Sequence, residues 1–155
     1  MAERLATRFR TALVTGASTG LGRAFARMLL AEGVAVWGTS RDAARLADMA
    51  QEHPQAFHPV VLELADAAAA ARAFRAAEQA AGPLHILVNN AGMTRDMLAL
   101  RMRDADWQAV LDVDLSAPFR LARAALKGML RRRAGRIISI SSIVGVTGNA
   151  GQSNY

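Results

Sequence analysis

Short apolar clusters alternate along this chain with longer stretches in which apolar residues recur every three or four positions. The first pattern predicts strands and the second helices packed by one face. Thr11-Ala12-Leu13-Val14-Thr15 reads as a buried strand, and Leu21 to Glu32 as a helix closed by Gly33. Val34 to Gly38 is a second strand, followed by a helix from Asp42 to about Gln51. Phe57 to Leu64 is a third strand. Asp66 then caps an alanine-rich helix running to about Ala81, ended by Gly82-Pro83. A fourth strand covers Leu84 to Asn89. A long helix opens at Asp104 and reaches about Arg133, and a fifth strand covers Arg136 to Ser141.

Strands this apolar require cover on both faces, as parallel strands have. Right-handed crossovers then arrange the segments as an α/β doubly wound parallel sheet of order 3-2-1-4-5. There is no repeat and no low-complexity linker, so residues 1–155 are expected to form a single domain.

Composition narrows the setting. At 155 residues and 52% hydrophobic, the chain can bury one sizeable core. The absence of cysteine removes disulfides and thiolate metal sites, which fits a reducing, cytoplasmic compartment. His53, His58 and His85 have no metal-ligand spacing, so no metal is expected. No apolar run approaches the roughly 20 residues of a membrane span. Arg4, Arg8 and Arg10 near the start give only a weak organelle-targeting signal, because the fold begins at once. The net charge of +6 rests on arginine, with Lys127 the single lysine. No aromatic-and-basic stripe accompanies it, so nucleic acid is not an expected partner.

The local sequence with most chemistry is Thr15-Gly16-Ala17-Ser18-Thr19-Gly20-Leu21-Gly22, between the first strand and first helix. Gly16 permits a tight turn, Gly20 a close backbone approach to a pyrophosphate, and Gly22 close packing of the helix. The helix start offers free N–H groups and partial positive charge to the phosphates. Where a carboxylate would select NAD, the second strand is followed by Thr39-Ser40-Arg41. Arg41 is either a partner for a 2′-phosphate, favouring NADP(H), or a solvated charge at a helix start.

The spacing of this turn resembles the TGxxxGxG motif of the short-chain dehydrogenase/reductase family, and Asn89-Asn90-Ala91-Gly92 resembles its NNAG motif. Thr94-Arg95-Asp96, Arg101-Met102-Arg103-Asp104 and Gly148-Asn149-Ala150-Gly151-Gln152 resemble the 3-oxoacyl-carrier-protein reductases within it. The resemblance implies a cofactor site built from Gly16, Ser18, Thr19, Gly20, Leu21, Gly22, Ser40, Arg41, Glu63, Leu64, Asn90, Ala91 and Gly92. Thr19 stands where the family commonly has a basic residue, and Glu63 where it has an aspartate near adenine.

Ser142 and Tyr155 have the spacing of the family's catalytic serine and tyrosine. The resemblance implies that Ser142 orients a carbonyl and Tyr155 donates a proton to its oxygen. Asp114 holds the place of the family's catalytic asparagine. Pro118 cannot donate to the Asp114 carbonyl, which predicts a local kink and leaves that carbonyl for water. The family's lysine, four residues past the tyrosine, lies beyond the end of this sequence. So do the last strands and the substrate lid. The sheet is therefore expected to be incomplete at its C-terminal side and the 155-residue chain inactive.

The implied reaction is NADP(H)-dependent reduction of the 3-oxo group of an acyl thioester, as in fatty acid biosynthesis, with the acyl group possibly on an acyl carrier protein. The complete family members form homo-oligomers. Two alternatives remain: a non-catalytic nucleotide-binding fragment, or a reductase of another carbonyl substrate such as acetoacetyl-CoA. Met93, Met97 and Met102 are placed either at the substrate entrance or in the core. Arg133, at the end of the long helix, is a candidate contact for an acidic carrier.

Overall fold

The computed structural model describes residues 8–155, so Arg4 lies outside the described residues. Five parallel strands form one sheet of order β3-β2-β1-β4-β5. They are β1 (Thr11–Val14), β2 (Ala35–Ser40), β3 (Phe57–Val61), β4 (Ile86–Asn89) and β5 (Arg136–Ser139). The helices are α1 (Gly20–Ala31), α2 (Ala47–Glu52), α3 (Ala67–Ala81), α4 (Asp104–Leu111), α5 (Ala117–Arg132) and α6 (Val144–Thr147).

Side chains alternate across a strand, so successive core residues must reach opposite faces. Ala12 and Val14 of β1, Val36 of β2, and Ile86 and Val88 of β4 enter one cluster. That cluster includes Ala26, Leu29 and Leu30 of α1 and Met49 of α2. Leu13, Trp37 and Leu87 enter the other, with Phe74 and Ala77 of α3 and Leu121, Ala125 and Met129 of α5. The two clusters are the two faces of a doubly wound sheet. Both are closed by helices amphipathic enough to bury one stripe. β5 pairs only with β4 and forms the sheet edge.

Several boundaries differ from the sequence expectation, each for a local reason. β2 runs on to Ser40 because its pairing with β3 continues to Ser40↔Val61. β3 stops there, so Leu62–Leu64 leave the sheet. The helix expected from Asp42 begins as a 3₁₀ turn, Ala43–Leu46, whose first amides are served by the Asp42 side chain through Ala44 N–H at 2.9 Å. β5 ends at Ser139 rather than Ser141, and β4 begins at Ile86 rather than Leu84. The long helix is interrupted by a π turn over Asp112–Ser116, where the Ala117 N–H reaches back to the Asp112 carbonyl. Pro118 sits in the first turn that follows. The expected kink thus takes the form of a widened turn, which accommodates a residue with no N–H to donate.

Arg133 ends α5 with φ 53°, the one non-glycine residue at positive φ among those described. Arg131 and Arg132 occupy the last turn, where positive charge complements the helix dipole. Arg132 also donates to the Leu84 carbonyl at 2.8 Å, fastening α5 to the segment entering β4.

Candidate active site

The glycine turn lies at the C-terminal ends of β1 and β4. Thr15 N–H donates to the Val88 carbonyl at 3.0 Å and Ala17 N–H to the Thr39 carbonyl at 2.9 Å. Those bonds join the turn to both neighbouring strands. The Gly16 N–H is held by Thr39 Oγ1 at 3.2 Å. Gly16 and Gly20 have φ of 66° and 54°. At Gly20 a Cβ would meet nothing within 4 Å, so the backbone there faces open space. Gly22 is the reverse case: a Cβ would lie 2.2 Å from the Gly16 carbonyl oxygen and 2.4 Å from Asn90 Nδ2. No side chain fits there, so α1 can start hard against the turn. Thr19 precedes α1 without using its hydroxyl as a cap, and the first turn of α1 carries no acidic residue. The free amides at this helix start suit an anion.

A cleft of about 540 Å³ opens beside this turn. Its lining includes Gly16, Ser18, Thr19, Ser40, Arg41, Glu63, Leu64, Asn90, Ala91 and Gly92, ten of the thirteen expected cofactor positions. Gly20, Leu21 and Gly22 are not in its lining. Leu21 is 62% exposed on the outer side of the first helical turn. The lining also holds Asp42, Arg45, Leu62 and Val113, which carry no sequence signal for this site, and Met93, expected at the substrate entrance or in the core. Arg45 lies in the 3₁₀ turn Ala43–Leu46 that follows β2, and no motif in the sequence marks it. Leu64 is buried, whereas Arg41, Arg45 and Glu63 are exposed. The lining thus offers two guanidinium groups that can pair with a phosphate and a buried apolar residue for a base, beside the carboxylates of Asp42 and Glu63.

The wall Asn90-Ala91-Gly92 also lines a second pocket, of about 450 Å³. Ser142, Tyr155 and Asp114 line this pocket with Asn89, Pro118, Phe119, Ser139 and Ser141. The three expected catalytic residues therefore stand around one space, reached from β5, the π turn and the loop that carries Tyr155. Ser142 Oγ also accepts from Val144 N–H at 3.4 Å, the turn-capping use of a serine.

Asp114 has a further side-chain contact. Its Oδ1 accepts from Met93 N–H at 2.9 Å, while Oδ2 is buried with no partner among the described residues. Burial pushes its carboxyl above the usual carboxylate range, and the Met93 N–H opposes that shift. Beyond the main-chain role expected of it, Asp114 thus holds the loop after β4 through its side chain.

The histidines serve the fold. His58 stacks on Trp37 with ring centroids 4.2 Å apart, and His85 Nδ1 lies 2.9 Å from Thr11 Oγ1. Burial lowers the pKa of both, and Arg132 and Arg10 lower that of His85 further. Among the described residues no group of three or more His, Asp or Glu could hold a metal ion. No helix among them is long and apolar enough to cross a membrane.

Comparison with known proteins follows this geometry. A family model for short chain dehydrogenases matches residues 10–155. The chain is 40% identical over 146 residues to the 3-oxoacyl-[acyl-carrier-protein] reductase of Vibrio harveyi, a match covering 94% of this chain and 60% of that protein. It is 41% identical over 149 residues to the Escherichia coli protein of the same name, with the same shares covered. It is 47% identical over 146 residues to nodulation protein G of Rhizobium sp. (strain N33), again over 94% of this chain and 60% of that one. A crystal structure of a short-chain dehydrogenase from Streptomyces avermitilis aligns with a TM-score of 0.91 and 32% identity. That alignment covers 95% of this chain and 54% of the other. The chain thus spans 60% of the length of these curated relatives. A family-model match running from the residue before β1 to the tyrosine, together with these relatives, means that the chain belongs to the short-chain dehydrogenase family.

Proposed function

We propose that this protein is the dinucleotide-binding part of an NADP(H)-dependent oxidoreductase that reduces the 3-oxo group of an acyl thioester. The observation that carries the reading is the shared wall. Asn90, Ala91 and Gly92 separate a cleft built for a dinucleotide from a pocket holding a serine and a tyrosine. A ligand spanning the first cleft would end where the second begins. Residues 1–155 are read as the N-terminal part of a longer family domain.

The fit of the cofactor rests on the open backbone at Gly20, the free amides opening α1, and Arg41 with Arg45 at the far end of the cleft. Gly16, Ser18, Thr19 and Gly20 would hold the diphosphate, with Leu21 and Gly22 setting the helix start. Ser40 and Arg41 would meet the ribose phosphate, Glu63 and Leu64 the base, and Asn90 to Gly92 the nicotinamide side. Bound there, the dinucleotide supplies a hydride to the carbonyl carbon. The Ser142 hydroxyl donates to the carbonyl oxygen and orients it. The Tyr155 phenol gives its proton to that oxygen as negative charge develops, leaving an alcohol and a tyrosinate to be reprotonated. A free phenol titrates near about 10, so this exchange needs a neighbouring positive charge. The family resemblance assigns it to a lysine beyond Tyr155. Catalysis is accordingly assigned to the protein at its relatives' length, and nucleotide binding to the residues described.

The 3-oxoacyl thioester is chosen because relatives at about 40% identity carry that activity in their names. An acyl carrier protein is the corresponding partner, and Arg133 a candidate contact for it. Homo-oligomer formation and a cytoplasmic setting rest on the family resemblance alone.

Fluorescence titration with NADPH and NADH tests the binding half, and reduction of acetoacetyl-CoA the catalytic half. The reading expects tighter binding of NADPH and NADPH-dependent reduction at full length. Binding without reduction at full length leaves a nucleotide-binding module. Loss of both refutes the reading.

A further inference from the structure

We propose that Asn154 is a positioning residue for the reaction: it ties the loop carrying Tyr155 to the loop leaving β4, and so fixes where the phenol stands beside Ser142. The inference rests on the functional reading above. Asn154 is 6% exposed, although its neighbour Tyr155 is 42% exposed. Its Nδ2 donates to the Arg95 carbonyl at 3.1 Å and to the Asp106 carbonyl at 3.4 Å. Both hydrogens of one amide are thereby committed to main-chain acceptors, one on the loop after β4 and one in α4. Since both neighbours are carbonyl oxygens, the nitrogen must be the atom that faces them.

Two further contacts cross the same seam, and a third lies within the segment itself. Met97 N–H donates to the Gly151 carbonyl at 2.8 Å. Gln152 Nε2 lies 3.2 Å from each carboxylate oxygen of Asp96. The Gln152 carbonyl accepts the Tyr155 N–H at 3.1 Å. The backbone of the tyrosine is thus held by a residue that is itself held by Asp96, while the residue before it is buried and doubly bonded. Segment 149–155 contains no helix or strand to fix it otherwise. A short irregular segment retains one geometry only where its polar groups are satisfied by fixed partners. Asn154 is the buried member of that set, bonded through Nδ2, while its Oδ1 is buried with no partner among the described residues.

The test compares the complete protein with Asn154→Ala and with Asp96→Ala, an exposed change that releases Gln152 without touching the core. Three quantities are measured: acetoacetyl-CoA reduction, NADPH affinity and hydrogen exchange of segment 149–155. Expected for N154A are a fall in kcat of about tenfold or more, because small misplacements of a reacting group are costly, and faster exchange in 149–155. The NADPH Kd should stay within about twofold, since no residue of the seam lines the cleft. D96A should move kcat and exchange the same way, less far. An unchanged kcat in N154A overturns the proposal. So does a parallel loss of kcat and NADPH affinity in both variants, which would mark a general support of the fold. Should the parent protein reduce no carbonyl, the functional reading fails, and exchange still decides the seam: unchanged exchange in N154A overturns it.

Discussion

Asn90 donates its side-chain amide to the Thr15 carbonyl at 3.0 Å, bonding the loop after β4 to the residue that opens the glycine turn. Thr15 returns the contact: its Oγ1 accepts from the Asn90 and Ala91 N–H groups, each at 3.0 Å. The two loops at the ends of the central strands are therefore one unit, and the same Asn90 walls off both pockets. This coupling gives the two pockets their common boundary.

Gly22 leaves the room that Asn90 occupies. Gly22→Ala should displace the Asn90 amide or the Gly16 carbonyl, since its Cβ would lie within 2.4 Å of both. The expected cost is about 1–3 kcal/mol of stability, as for other overpacked sites. NADPH affinity should fall about tenfold or more with it. Denaturant unfolding and NADPH titration of G22A check the two effects.

Arg41 is exposed at the end of the cleft and forms no salt bridge among the described residues. Arg41→Ala should raise the NADPH Kd about tenfold or more, the worth of one charge-assisted contact. The NADH Kd should stay within about twofold. Equal weakening of both dinucleotides would place Arg41 away from the 2′-phosphate. Arg45→Ala should show the same preference in weaker form.

Asp114 gives the protein a pH-dependent liability. Burial raises the carboxyl pKa in the folded state, so the folded protein binds the proton more tightly than the unfolded chain. The associated stability is present below the unfolded pKa and is lost as pH rises through the folded one. Asp114→Asn keeps an oxygen for the Met93 N–H and removes that titration. The difference in unfolding free energy between D114N and the parent should therefore grow in favour of D114N as pH rises through the carboxylate range, then level off. A difference independent of pH would contradict the assignment.

Leu126 and Leu130 of α5 and Ile138 of β5 are 43%, 70% and 45% exposed, and Ile143 is 71% exposed. These apolar side chains are exposed to solvent, and β5 is also a sheet edge among the described residues. The 155-residue chain should bind a hydrophobic dye and aggregate at modest concentration. Leu130→Lys, in the last turn of α5, should reduce both effects. Its unfolding free energy should change by no more than about 0.5 kcal/mol, as for other surface changes.

The parallel sheet and its order were legible because apolar strands and amphipathic helices alternate, and because alternating side chains such as Leu13 and Val14 must both find cover. Strand ends were less legible, since Ser40 belongs to β2 only through its partner Val61. The π turn was foreshadowed by Pro118, although a missing N–H predicts a break without specifying its shape. At the candidate site, the glycines marked the turn, and the Ser142–Tyr155 spacing marked two residues that line the second pocket. Arg45 was not marked because it belongs to no motif, nor were the roles of Thr15, Thr39 and Asn154, because hydrogen bonds to main-chain groups far along the chain leave no local pattern.

The most direct measurement is the structure of this chain with NADPH bound. The account predicts the diphosphate against the amides opening α1, beside Gly16 and Gly20, with the 2′-phosphate near Arg41. A diphosphate bound elsewhere, or a 2′-phosphate pointing away from Arg41 and Arg45, would contradict it.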